Sequence, residues 1–245
     1  MSTVGKRQEY FDFVCGYASQ SSKFKDVAIR KAEIFEDILI DRSTPILSVG
    51  MGVVALGLAL KGYDIAVCQG TAESARISTD LGVNITYLDD PIGTPSLKYD
   101  TVIAADEFTT YADTEAHQLE IIEQLCRMSS RQLITTVKDY KNMSSHRRNF
   151  EEPFMFLTDD NESMLFMDQY MWDRKDRQHW DHHFYAIKDH SNLETIGPIS
   201  RRTMYFKQLA KFTSDMGGKN FTVHKEQLYK SVFKKTFEHV ISVQF

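Results

Sequence analysis

"ILSVGMGVVALGLALKGYDIAVCQG", residues 46–70, decides how this chain is read. Ile46–Val49 is a short apolar strand and Gly50–Met51–Gly52 a tight turn. "VVALGLALK" follows as a helix over 53–61 that Gly62 ends, and "DIAVC" is a second apolar strand. Strands this short and apolar on both faces, separated by helices, belong to a parallel sheet covered on both sides. A Gly-x-Gly turn at such a strand-to-helix junction is where a nucleotide-like cofactor approaches the backbone. Alone, the turn is weak evidence, since any α/β fold can use it. Two companions are absent: Val54 stands where a third glycine is common, and Gln69 ends the second strand without a carboxylate.

The same rhythm runs outward from this unit. Before it, "QEYFDFVCGYA" and "FKDVAIRKAEIFEDILI" read as two helices, the second with a stripe through Val27, Ile34 and Ile38, stopped before Pro45. After it come helix "AESARISTDL", strand "NITYL", a turn-rich "DDPIGTPSLKYD", strand "TVIAA", helix "TEAHQLEIIEQLCRM" and strand "RQLITTV". Leu119, Ile122, Leu125 and Cys126 are expected to form the buried face of that last helix. From Lys138 to Ser200 the pattern changes to antiparallel strands, "EEPFMFLTDD", "ESMLFMDQYMWD" and "HHFYAIKD", with turns at Asp159–Asn161 and around Asp173–Arg177. "SRRTMYFKQLAKFTSDMGG" then reads as a helix with a Gly-Gly stop, and "FTVHKEQLY" and "FEHVISVQF" as closing strands.

The 245 residues carry a net charge of −5, so no global basic field draws nucleic acid. Cys15, Cys68 and Cys126 are odd in number and lack C-x-x-C spacing, which argues for reduced thiols rather than a disulfide or zinc framework. The N-terminal segment has no secretory h-region and no apolar run reaches membrane-span length, so a cytoplasmic protein is expected.

In strand order and in its "LSVGMG" turn, the chain resembles the S-adenosylmethionine-dependent methyltransferases of the Rossmann-like (class I) type, whose first loop reads "LDVGCG". The likeness covers Ile46–Val137 and Arg201–Phe245, and the final helix and strand pair match that family's closing hairpin. It implies one domain: N-terminal helices over 1–44, a Rossmann-like core over 45–137 and 201–245, and a substrate-cap insertion over 138–200. The fold implied is a mostly parallel seven-stranded α/β sheet with helices on both faces and an antiparallel insertion after strand five. The cofactor implied is S-adenosylmethionine. Val49, Gly50, Met51 and Gly52 would approach its amino acid moiety, and Gln69 and Gly70 its ribose. Leu88 with Asp89 or Asp90 would meet the adenine, and Ala105 would lie beside the sulfonium. Ser48 replaces the usual first-strand acid, and Gln69, though it can accept and donate, lacks the charge that strengthens ribose bonds.

"AADEFTTYA" is not the N/D-P-P-Y signature of amino-methylating nucleic-acid enzymes, so a small-molecule acceptor is expected. Asp106, Glu107, Tyr111 and His146 are the candidates for a base, and Trp172, Trp180 and Tyr140 for acceptor contacts. The tryptophans also suit plain hairpin packing, and exposed aromatic strands also suit a homodimer interface. His182 and His183 face opposite ways on a strand and do not share a metal. The pairs in "HRRNF" and "SRRTM" are surface charge or the seat of an anionic substrate group. Two rival readings remain: a scaffold or cofactor-binding protein on a degenerate methyltransferase fold, to which Ser48, Val54 and Gln69 point, and Mg²⁺-assisted O-methylation using Asp106 and Asp139, weakened by Tyr140 where Asn is usual.

Overall fold

The structure is a computed structural model that describes residues 3–88, 97–138, 140, 153–160, 162–173, 175, 178–188, 191–229 and 238–245. Helices α1 (Thr3–Ala18) and α2 (Phe24–Glu36) precede β1 (Ile46–Val49), α3 (Val53–Leu60), β2 (Ile65–Cys68), α4 (Ala72–Asp80) and β3 (Thr86–Leu88). Then come β4 (Tyr99–Ala104), α5 (Glu115–Met128) and β5 (Ser129–Val137). An insertion of four strands follows: β6 (Phe154–Leu157), β7 (Ser163–Trp172), β8 (His179–Lys188) and β9 (Asn192–Arg202). Helix α6 (Phe206–Asp215), β10 (Lys219–Tyr229) and β11 (Glu238–Gln244) close the chain.

The main sheet has seven strands in the order β10-β11-β5-β4-β1-β2-β3. β1 pairs in parallel with β2 and β4, β2 with β3 and β4 with β5, whereas β11 runs antiparallel to both β5 and β10. The reading of a mostly parallel seven-stranded sheet with an antiparallel insertion after strand five is therefore correct. Every residue of β1 and β2 is buried, as strands covered on both faces must be. Helix α3 is buried through Leu58 because α2 crosses it at backbone contact: a Cβ on Gly57 would lie 2.0 Å from the Ala28 carbonyl oxygen.

Three local expectations are corrected. The buried face of α2 runs through Phe24, Ala28, Lys31, Ala32 and Phe35, leaving Val27, Ile34 and Ile38 half-buried, because small Ala28 and Ala32 let α3 approach on that side. Leu119 lies at the exposed rim of α5, whose buried face is Gln118, Ile121, Ile122, Leu125, Cys126 and Met128. Ser200, Arg201 and Arg202 do not begin a helix. They end β9, where pairing of Arg201 with Trp180 outweighs the helical pattern that starts only at Phe206.

The insertion is a second sheet, β6-β7-β8-β9, antiparallel throughout. Burial alternates along β7 and β8: Met164, Phe166, Asp168, Tyr170, Trp180, His182, Phe184 and Ala186 face inward. His182 is buried and hydrogen-bonded to Asp168, while His183 takes the opposite, half-buried face. The inward aromatics pack on α1, with Phe184 5.1 Å from Tyr10 and 5.4 Å from Phe13 between ring centroids. One apolar core thus joins α1, both sheets and Tyr140. Each large side chain buried there contributes about 1.5–3 kcal/mol, which fixes the insertion against the main sheet.

Candidate active site

The chain leaves β1 toward β2 on one side and returns to β4 on the other, so β1 and β4 bound the switch-point crevice of the sheet. The turn after β1 lies at the carboxyl end of that crevice. Gly50 has φ +116° and Gly52 φ +93°, left-handed conformations that a side chain would strain. The turn is also tightly held. A Cβ on Gly50 would stand 3.3 Å from Phe108 Cδ2, and one on Gly52 2.9 Å from Ser74 Oγ. Ser74 is fixed in turn by the capping box of α4, in which Thr71 Oγ1 accepts from the Ser74 N–H at 2.8 Å. Val49 and Met51 are buried beside the glycines, and Val54, at the position where a third glycine is common, fills the α3 core.

Helix α1 lies across this edge, which the sequence reading did not anticipate. Arg7 donates to Gln69 Oε1, Gln8 Nε2 donates to the Gly70 carbonyl at 2.9 Å, and the Cys15 thiol donates to the Met51 carbonyl at 3.5 Å. The Arg7 guanidinium also stacks 4.7 Å from the ring centre of Phe108. Burial raises the pKa of the Cys15 thiol, so it stays protonated. Arg7, Phe11 and Cys15 are spaced i, i+4, i+8, so this stripe was visible in the sequence as one helical face. Leu88 is half-buried at the end of β3. Asp89, Asp90, Asp139 and His146 lie outside the described residues.

After β4 the backbone turns sharply through Asp106 and Glu107, both at φ +55°. The Glu107 N–H donates to Thr136 Oγ1 at 3.0 Å. The Glu107 carboxylate is fully buried: Oε1 lies 3.1 Å from Lys138 Nζ, Oε2 lies 3.2 Å from Arg201 Nη2, and the Tyr140 hydroxyl donates to Oε2. Arg201 donates further to Thr110 Oγ1, at 3.0 Å from Nε and 2.6 Å from Nη2. Its guanidinium is sandwiched between Tyr111, 4.0 Å away, and Trp180, 4.8 Å away. Burial works against its charge, but the Tyr111, Glu107, Tyr140 and Tyr170 surroundings outweigh that and raise its pKa. Lys138 donates to the Tyr170 hydroxyl at 3.3 Å.

Two groups emerge. Val49, Gly50, Met51, Gly52, Gln69, Gly70, Leu88 and Ala105 line the carboxyl edge of the sheet. Glu107, Tyr111, Tyr140 and Trp180 join in the buried cluster, with Trp172 5.7 Å from Trp180 between ring centroids. Phe11, 5.5 Å from Tyr111, links the two. Glu107 was a candidate base, but a carboxylate whose two oxygens are held by two cations and a phenol is a counter-ion. Asp106 is nine-tenths buried beside it. Lys138, Arg201 and Thr110 were missed as site residues because nothing local marks a lysine or arginine as buried. Only the pair in "SRRTM" gave a hint.

The edge carries elements that suit a cofactor of the S-adenosylmethionine kind: two left-handed glycines without side chains, a helix N-terminus beyond them and an amide at the end of β2. Comparison with solved structures agrees. The CcbJ methyltransferase from Streptomyces caelestis superposes with a TM-score of 0.64 at 13% identity, over 87% of this chain and 88% of its own. An S-adenosylmethionine-dependent methyltransferase from Clostridium acetobutylicum gives 0.63 at 12% identity, over 89% and 92%. The fold is that of the S-adenosylmethionine-dependent methyltransferases. A methyltransferase of this fold from Bacteroides fragilis, solved in complex with S-adenosyl-L-homocysteine, gives 0.52 at 12% identity over 86% and 76%. At these identities the methyltransferase fold is what is shared. No family model and no curated sequence matches this chain.

Proposed function

We propose that this protein transfers a methyl group from S-adenosylmethionine to a small-molecule acceptor. The observation that carries the reading is the left-handed Gly50–Gly52 turn at the carboxyl end of β1, placed at the switch point of a methyltransferase-ordered sheet. When bound, the cofactor supplies an electrophilic methyl on its sulfonium. The Gly50 and Gly52 backbone would hold the amino acid moiety, and the first N–H groups of α3 would suit its carboxylate. Gln69 and Gly70 serve the ribose, Leu88 with Asp89 or Asp90 the adenine, and Ala105 with Asp106 the reacting end. Trp172, Trp180, Tyr140 and Tyr111 wall the acceptor and exclude water, so that rate comes mainly from holding the two partners in attack geometry. If a base takes part, Asp106 or His146 holds that role rather than the clamped Glu107.

A rival reading has its own support. With Arg7 on Gln69 and Cys15 on Met51, α1 already engages the cofactor edge, which suits a binding protein without turnover. For the magnesium alternative, no three His, Cys, Asp or Glu come together as a metal site among the described residues. Three buried free cysteines suit a reducing compartment such as the cytoplasm, and no helix among the described residues is long and apolar enough to cross a membrane. The homodimer alternative rests on the outer face of the insertion, where Met155, Leu165, Ile187 and Leu193 form a cross-strand row, with Met155 57% and Leu193 62% exposed.

Titration calorimetry with S-adenosylhomocysteine tests the proposal on the parent chain and on Gly50→Ala. Saturable binding that the substitution weakens at least about tenfold, a change of about 1.4 kcal/mol, supports the site. A folded parent chain that does not bind overturns it. Binding without methylation of any acceptor in a metabolite extract favours the rival.

A further inference from the structure

Trp172, Trp180 and Arg201 are paired neighbours across β7, β8 and β9, and paired residues share a sheet face. They therefore form one row on the inward face of the insertion. The row runs from Arg201, with no exposure, through Trp180 at 1% to half-buried Trp172. Among the described residues, each of the three carries a buried N–H group with no hydrogen-bond partner: Arg201 Nη1, Trp180 Nε1 and Trp172 Nε1. Buried donors without acceptors are rare, and three in one row call for an explanation.

The chemistry of the three restricts what satisfies them. A guanidinium and an indole N–H only donate, so the partner must accept. Arg201 also shares the Glu107 carboxylate with Lys138. A cationic or purely apolar partner would leave every one of these donors bare, and a cation would meet the Arg201 charge. We propose, on the methyl-transfer reading above, that the acceptor carries an oxyanion, a carboxylate or a phosphate, that is held by Arg201, Trp180 and Trp172. Thr110 and Glu107 fix the far side of the guanidinium, so that Nη1 is the edge left for the ligand. The half-buried end at Trp172 gives the row its way in. Arg201 is a specificity residue here: it selects acceptors by charge and orients them toward the sheet edge through the cluster it shares with Tyr111.

Trp172 and Trp180 are the only two tryptophans of the chain, so intrinsic tryptophan emission reports on this row. The full chain is titrated with benzoate, phenyl phosphate, acetate and inorganic phosphate, and with benzamide and benzyl alcohol as neutral counterparts. The expected result is a saturable change in emission with an oxyanion and none with the neutral compounds. The ranking of benzoate against phenyl phosphate tells carboxylate from phosphate. Arg201→Lys keeps the charge beside Glu107 but loses the planar fork, and weakens the response at least tenfold. Trp180→Phe keeps an aromatic ring but removes the pyrrole half of the indole together with its N–H, so its Tm is measured alongside. This substitution weakens binding several-fold, read through Trp172, and carries the test should Arg201→Lys fail to fold. No response to any oxyanion, an equal response to benzamide, or unchanged affinity in folded Arg201→Lys and Trp180→Phe overturns the proposal. S-adenosylhomocysteine binding is measured on the same samples. Its loss with the anion response intact overturns the methyl-transfer reading, and with it the naming of the anion as acceptor, whereas cofactor binding without an anion response overturns the anion site alone.

Discussion

Replacing Glu107 by Gln removes the charge at the centre of the buried cluster while keeping its shape. The carboxylate stands 3.1 Å from Lys138 Nζ and 3.2 Å from Arg201 Nη2, with no exposure on Glu107 or Arg201. At an effective dielectric of about 20, each contact is worth about 5 kcal/mol of attraction. Desolvation of the three ions offsets much of that, so the pairs need not stabilise the protein relative to an apolar core. Removing one partner is different, because the desolvation remains while the attraction goes. The expected loss is about 3–5 kcal/mol, as for other broken buried pairs. For a chain of 245 residues, at about 2 °C per kcal/mol, Tm falls by about 6–10 °C. Scanning calorimetry and urea unfolding measure it, with the m-value checking that the transition stays two-state. Glu107→Gln combined with Lys138→Met removes one stranded cation and is expected to recover about half of the loss, a coupling that independent sites would not show. A Glu107→Gln protein that melts within about 2 °C of the parent refutes the reasoning: water would then reach the cluster and screen the stranded charges.

Other outcomes follow from the same geometry. Gln69→Glu alone is expected to form an ion pair with Arg7 and gain little affinity for S-adenosylhomocysteine, whereas Arg7→Ala with Gln69→Glu frees the carboxylate for the ribose and tightens binding about tenfold by calorimetry. Burial lowers the pKa of His224, whose Nε2 lies 2.7 Å from Ser242 Oγ. The unfolded chain thus binds the proton more readily, and the stability of β10 against β11 is lost as pH falls from about 6.5 toward the lowered folded value. His224→Gln should flatten that part of the stability profile. Burial also pushes the Cys126 thiol up to about 12 and raises that of Cys15, so native protein at pH 8 should react with thiol reagents far more slowly than urea-unfolded protein. A side chain at Gly52 meets Ser74 Oγ at 2.9 Å and φ +93°, so Gly52→Leu is expected to lower Tm as well as to stop cofactor binding.

The sequence by itself determined the order of strands and helices apart from β9, which it did not mark, the parallel character of β1 to β5 and the antiparallel nature of the insertion. Those properties rest on local periodicity and on glycine stops such as Gly62 and Gly82, which act over a few residues. It also located the Gly50–Gly52 turn, because φ of +116° and +93° is backbone that glycine adopts without strain. What only the tertiary structure decided are the partners. Arg7 reaches Gln69 across 62 positions and Arg201 reaches Glu107 across 94. Arg7 carried no reading, and Arg201 read as surface charge or the seat of an anionic group, since the desolvation that makes both matter exists only after α1 and β9 close over the sheet edge. For the same reason Glu107 read as an open base and is a clamped counter-ion, and Arg201 read as the start of a helix and is the end of a strand. Helical and strand propensities are settled by near neighbours, but the worth of a buried charge is settled by whichever distant group the fold brings to meet it.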